Sequence, residues 1–136
     1  MNKITINLIF LLCLPVLISI ANASYLANIS TEKKALGENE TTLLSLKLMN
    51  SSDTTIKNTY LRITSDESIT FVDGLEDKAM ILKTIENLKP NEIKEFYFKI
   101  KLRNTDNESQ NVYTYYGETQ EMTNATVTNI NIISYQ

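Results

Sequence analysis

The chain has no histidine in 136 residues, one cysteine at position 13, three glycines and two prolines. Without histidine or a second cysteine, the Ser-His-Asp and Cys-His nucleophile systems and the usual zinc ligand sets drop out together. Gly37, Gly74 and Gly117 stand far apart, so there is no glycine loop to cradle a phosphate. No segment carries apolar residues in a stripe of 3.6-residue period; one helical turn over residues 32 to 38 is a minority reading. Enzyme chemistry is left with carboxylates, lysine and tyrosine.

What is present begins with an address. Lys3 precedes an apolar run from Leu8 to Ile18, closed by Ala21-Asn22-Ala23, the charged, apolar and small-x-small pattern of a cleavable signal peptide over residues 1 to 23. The competing reading is an uncleaved anchor, since the stretch from Ile4 to Ile20 reaches the lower limit for a bilayer span. Pro15 and the small residues at the cleavage site favour removal. A lipoprotein attachment at Cys13 fails because the preceding residue, Leu12, is not small. Cleavage after Ala23 removes 23 residues and leaves 113, enough for one domain, 24–136, with a single core. The expected location is periplasmic, cell-surface or extracellular, with no membrane span after signal cleavage.

The lone cysteine leaves with the leader, so the exported domain must fold without disulfides. Lys3 leaves too, and 12 basic residues then face 16 acidic ones, a balance of −4. No basic patch competes for phosphate, and nucleic acid is not an expected partner.

The mature chain alternates apolar and polar residues and is rich in Thr, Ile, Tyr, Val and Phe, which predicts strands. These fall at residues 25–29, 44–48, 60–64, 69–72, 80–85, 93–102, 112–116 and 126–135. The clearest is 93–102, where Phe96, Phe98, Ile100 and Leu102 point one way and Glu95, Tyr97, Lys99 and Lys101 the other. Asn50 to Asp53, Asp66 to Ser68, Asp73-Gly74 and Leu88-Lys89-Pro90-Asn91-Glu92 supply turns, and residues 104–111 read as a polar loop. Alternating strands imply antiparallel pairs, each with one wet face, and two such sheets stack. The fold class is therefore all-β, a single antiparallel sandwich of about seven to eight strands.

Candidate sites are few. The acidic pairs Asp66 with Glu67 and Glu76 with Asp77 lie in turn-like stretches, where solvated loop charge is the simpler reading than glycoside chemistry. Asp73, Glu76 and Asp77 are close enough to share a calcium ion, but their spacing is not that of an EF-hand loop. No metal and no cofactor is expected. Sequons begin at Asn28, Asn39, Asn50, Asn107 and Asn124; Asn50 and Asn107, in expected loops, are the candidates for glycosylation. Tyr113, Tyr115 and Tyr116 form the one aromatic cluster suited to a ligand or partner, Tyr113 and Tyr115 on a shared face. Strand tyrosines covering core are the competing reading.

Leu44-Ser45-Leu46-Lys47-Leu48-Met49-Asn50, then residues 59 to 64, then Ile85-Glu86-Asn87-Leu88-Lys89-Pro90-Asn91-Glu92 resemble the immunoglobulin-like repeats of archaeal and bacterial cell-surface and S-layer-associated proteins, the CARDB and NEW3 type. Those repeats have a Leu-x-Pro-Gly-Glu-like corner, and Asn91 stands here where glycine is usual; Asn is the next best residue for a left-handed turn. The resemblance covers a little over half of the mature chain and implies an immunoglobulin-like β-sandwich. It also implies a spacer, adhesion or assembly role, with no catalytic residues to carry over. The expected function is thus a non-enzymatic exported module acting in protein–protein contact, adhesion or assembly at the cell envelope. Its expected partner is another envelope or extracellular protein, reached by strand-edge pairing, with the segment 126–135 as edge or donated strand. A small carbohydrate-binding module using the strand tyrosines is the alternative, and a carboxylate hydrolase a third reading.

Overall fold

A computed structural model describes residues 24–133, so the leader over 1–23, the last two positions of the expected terminal strand 126–135, and residue 136 lie outside the described residues. Among the described residues ten strands form: β1 (Tyr25–Thr31), β2 (Ala35–Leu36), β3 (Thr41–Asn50), β4 (Ile56–Ser65), β5 (Ile69–Asp73), β6 (Glu76–Lys78), β7 (Met80–Leu88), β8 (Ile93–Leu102), β9 (Ser109–Gly117) and β10 (Asn124–Ile132). All eight expected strands are there. The two additions, β2 and β6, are too short for alternation to announce them, and β2 replaces the helical turn read over residues 32–38.

The strands make two five-stranded sheets, β1-β3-β8-β5-β6 and β2-β10-β9-β4-β7. Every pair is antiparallel except β2 with β10. Alternation decides which face each strand buries. Leu44, Leu46 and Leu48 of β3 are fully buried, as are Ile100 and Leu102 of β8, and Leu44 and Leu46 lie opposite Phe98 and Phe96 across the pair. From the second sheet Leu61, Ile63, Val112 and Ile130 meet them. Each such side chain taken out of water contributes about 1.5–3 kcal/mol, which lets the domain hold together without cross-links.

A chain this poor in glycine needs other residues for left-handed turns. Asn39 and Asn91 take them, at φ of 62° and 63°, while Gly74 at 63° closes the β5–β6 hairpin; Asn87, near the end of β7, has the same left-handed backbone at 54°. Asparagine tolerates that region better than other non-glycine residues. Gly117 answers a different need: a Cβ there would lie 3.1 Å from the Cα of Met122, where the chain turns from β9 towards β10.

Candidate functional site

The outer face of the second sheet collects the exposed aromatic residues of β4 and β9. Tyr113 is in register with Thr64 and Val127, and Thr64 with Met80. The next row on that face runs Ala125, Tyr115, Arg62, Leu82. Tyr60 and Thr84 follow on the same side. The face thus carries three half-exposed tyrosines and one arginine, bordered by Val127 at 58% exposure and Leu82 at 61%.

Two contacts hold this face in shape. The Tyr113 hydroxyl donates to Asp66 Oδ1 at 3.0 Å, and Asp66 Oδ2 accepts the Asn111 N–H at 2.9 Å. Both carboxylate oxygens of Asp66 therefore tie the β4–β5 turn to β9, a structural task that leaves the expected Asp66 and Glu67 pair without a free acid or base in Asp66. The Arg62 guanidinium lies 4.8 Å from the centre of the Tyr115 ring, a cation–π contact worth about 0.5–1 kcal/mol at an exposed site. Beside these rings, a cleft of about 330 Å³ is lined by Tyr60, Leu82, Lys83, Thr84, Gln120 and Met122. Met122 has φ of 47°, a left-handed conformation that costs a side-chain-bearing residue about 1–2 kcal/mol.

Tyr116 does not join its neighbours. It points inward at 8% exposure, and its ring meets Tyr25 edge-on, centroids 5.6 Å apart at 89°. Burial raises the pKa of both phenols, and Tyr25 shares a hydrogen bond with Thr59 Oγ1 at 2.9 Å. The aromatic cluster of the sequence divides into a surface pair, Tyr113 and Tyr115, and a core residue, Tyr116.

Asn50 also departs from expectation. It is fully buried, its Nδ2 donating to both Thr54 O and Leu88 O at 2.8 Å. A glycan on that nitrogen would remove a donor and could not be accommodated in the core, so the folded domain offers no acceptor there. Asn107 is exposed in the β8–β9 connection. Asp73 and Glu76 are cross-strand neighbours at the β5–β6 hairpin, but the Asp73 carboxylate is engaged by Lys78 Nζ at 2.8 Å. Among the described residues no group of three or more His, Cys, Asp or Glu side chains is placed to hold a metal, and no helix is long and apolar enough to cross a membrane.

Alternation along β4 puts Tyr60 and Arg62 on the side opposite buried Leu61 and Ile63, yet nothing in the sequence joins them to Tyr113 and Tyr115. The β4–β9 pairing that does so spans about half of the domain, and local patterning carries no information on such partners.

No protein-family model and no curated relative matches the chain. Among solved structures, the CARDB domain of a Pyrococcus furiosus protein, in complex with di-metal ions, is 14% identical with a TM-score of 0.57; the match covers 79% of this chain and 91% of that domain. The fold is the immunoglobulin-like sandwich of CARDB domains. The same sandwich recurs inside larger proteins. Spo0M, a sporulation control protein from Bacillus subtilis, is 11% identical with a TM-score of 0.55, the match covering 82% of this chain and 50% of that one. A β-glucosidase from Listeria innocua is 12% identical with a TM-score of 0.55, the match covering 82% of this chain but 16% of the enzyme. Likeness at this level establishes architecture, and a CARDB-type sandwich serves as a scaffold for different surfaces.

Proposed function

We propose that this chain is an exported, non-enzymatic β-sandwich module that works by contact with another protein of the cell envelope or extracellular space. The observation that carries the reading is the outer face of the second sheet, where Tyr60, Tyr113 and Tyr115 lie between exposed Leu82 and Val127. Aromatic residues and arginine surrounded by apolar side chains are the usual anchors of protein interfaces. The missing histidine and cysteine chemistry and the engaged carboxylates of Asp66 and Asp73 support a role without catalysis. Strand addition along β10 complements this face, because β2 pairs only with Asn131 and Ile132 and leaves Asn124 to Ile130 uncovered on that side.

A carbohydrate-binding module is the reading the same tyrosines otherwise suggest. Sugars stack on free ring faces, and Arg62 occupies one face of Tyr115, which favours the protein-contact reading. A photo-cross-linking residue at Leu82, compared with one at Leu43 on the outer face of the first sheet, tests it in the expressing cells. A defined protein adduct from Leu82, absent from Leu43 and lost on Tyr115→Ala, is expected. A glycan-array signal abolished by Tyr115→Ala, with no adduct at Leu82, would replace this reading by the carbohydrate one.

A further inference from the structure

The sandwich has two flanks, and they differ in charge. On one, β5 lies beside β7. There the edge strand β6 consists of Glu76, Asp77 and Lys78, and β7 turns Lys83 towards the inter-sheet side between Ile81 and Ile85. Charged residues on an edge, above all inward-pointing lysines, oppose the docking of another strand. On the other flank β1 lies beside β10, and neither strand contains a charged residue or a proline.

β1 is also open along its full length among the described residues. Bonds from Ser51 N–H to Ser24 O and from Glu32 N–H to Leu43 O fix the alternation of the β1–β3 ladder, so even-numbered residues bond inward. Tyr25, Ala27, Ile29 and Thr31 therefore aim their backbone N–H and C=O groups away from the sheet. β10 differs, its edge being closed at one end by β2.

We propose that β1 pairs antiparallel with β1 of a second copy, joining the two first sheets across a twofold axis at Asn28. This goes beyond the proposed contact through the second sheet, since it uses a different surface, the β1 edge of the first sheet. In the register that overlaps the whole strand, Tyr25 meets the partner's Thr31 and Ala27 the partner's Ile29, both sets presenting outward backbone groups. Ala27 and Ile29 already pack against the core as partly buried residues, and a small side chain opposite a large one continues that layer. On the solvent side Leu26 meets Ser30, and Asn28 meets its own copy, an amide pair that satisfies itself. No like charges come together anywhere along the strand. A twofold pairing sets every residue of β1 against another residue of β1, and a strand without charge or proline meets no repulsion in its own copy.

One strand pair buries less than a standard interface, so the dimer exchanges with concentration, forming at roughly 0.1–1 mM and dissociating near about 1 μM. Analytical ultracentrifugation of protein purified after expression of the full-length chain measures this. Ala27→Pro removes an outward N–H while sparing the inward ladder, a position at which an edge accepts proline. Asn28→Lys places two like charges on the axis without touching the backbone. Val127→Pro makes the equivalent change on β10, whose odd-numbered residues face away from β9. Wild type and Val127→Pro are expected to dimerise alike, and Ala27→Pro and Asn28→Lys to do so at least tenfold more weakly. Should Ala27→Pro fail to fold, Asn28→Lys decides. A wild type that stays monomeric at about 1 mM, an Asn28→Lys variant that dimerises normally, or dimerisation lost through Val127→Pro would each overturn the proposal. A monomer that still yields the Leu82 adduct would leave the contact reading standing, and a β1 dimer without the adduct would do the reverse.

Discussion

The side-chain amide of Asn50 joins two turns that lie 38 residues apart, donating from Nδ2 to Leu88 O at 2.8 Å. Its second hydrogen goes to Thr54 O at 2.8 Å, and its Oδ1 accepts from Ser52 N–H at 2.9 Å and Ser52 Oγ at 2.6 Å. The backbone does as much, since Asn50 N–H donates to Glu92 O and Asn91 N–H to Asn50 O. One residue thus fastens the β3–β4 turn to the β7–β8 turn, and so one sheet to the other. Asn50→Ala takes the side-chain donor from the buried Leu88 carbonyl, while Thr54 O keeps a second donor in Ser52 Oγ at 2.9 Å; a buried group left unsatisfied costs about 1–3 kcal/mol. The expected loss is roughly 2–4 kcal/mol in urea unfolding. A loss below about 0.5 kcal/mol, the range of an ordinary surface change, would show that the bridge is dispensable.

Asn91 sits in the neighbouring turn at φ of 63°, after Pro90 and before Glu92. That turn is closed by Glu92 N–H to Lys89 O at 3.0 Å and by Lys89 N–H to Glu92 Oε1 at 3.0 Å. Glycine adopts this conformation freely, so Asn91→Gly is expected to change stability by less than about 1 kcal/mol. Valine does not, and Asn91→Val is expected to cost about 1–2 kcal/mol more than the glycine variant. Equal stabilities for the two in thermal unfolding would contradict a left-handed turn at this position.

The strands were legible because one-residue alternation is a local property: Leu44, Leu46 and Leu48 announce both a strand and its buried face. The Pro90-Asn91 corner was legible for the same reason. Burial of Asn50 was not, because a turn-forming Asn in an exposed loop and one whose amide is enclosed by a second turn have the same local sequence. Tyr116 illustrates the intermediate case. Its parity relative to Tyr115 places it on the other face, but which face is core depends on Tyr25, 91 positions earlier, becoming the neighbour of β10 through a different sheet. The surface row of Arg62 and Tyr115 is equally non-local, being created by strand pairing alone.

Ionisation gives a further test. Backbone donors hold two carboxyls below their ordinary range, Gly37 N–H for Glu40 and Lys89 N–H for Glu92, and Lys78 does so for Asp73. Each stabilises the fold above the pH at which its unfolded form would protonate, and that contribution is lost as pH falls through the lowered folded value. Burial pushes the Tyr25 and Tyr116 phenols up from 10.0. Their contribution is complete below that value and is lost as pH rises through the raised folded values. With no histidine to titrate between these limits, the unfolding midpoint is expected to form a plateau from roughly pH 5.5 to 9, with both limbs falling. Glu92→Gln should lower the plateau and flatten the acid limb. A midpoint that climbs steadily from pH 5 to 8 would contradict this assignment of the titrating groups.

Thr114 and Thr126 face each other across the β9–β10 pair on its buried side, and neither hydroxyl oxygen has a hydrogen-bond partner. Folding therefore desolvates two hydroxyls without return, at about 1–3 kcal/mol apiece when nothing replaces the lost water. Valine keeps the branched shape and the strand preference of threonine while deleting the polar atom. Thr114, at 1% exposure, is the better site, since its neighbours Leu61, Ile63 and Val112 already supply an apolar surround. Thr114→Val is expected to stabilise the domain by about 0.5–1 kcal/mol in urea unfolding, and adding Thr126→Val to extend the gain. Because the two hydroxyls are direct neighbours, their effects should not be independent: if they share an enclosed water, the first substitution strands the second hydroxyl and destabilises, and only the double variant recovers the loss. A single variant less stable than wild type, rescued in the double, would thus identify a bridged pair instead of two orphans.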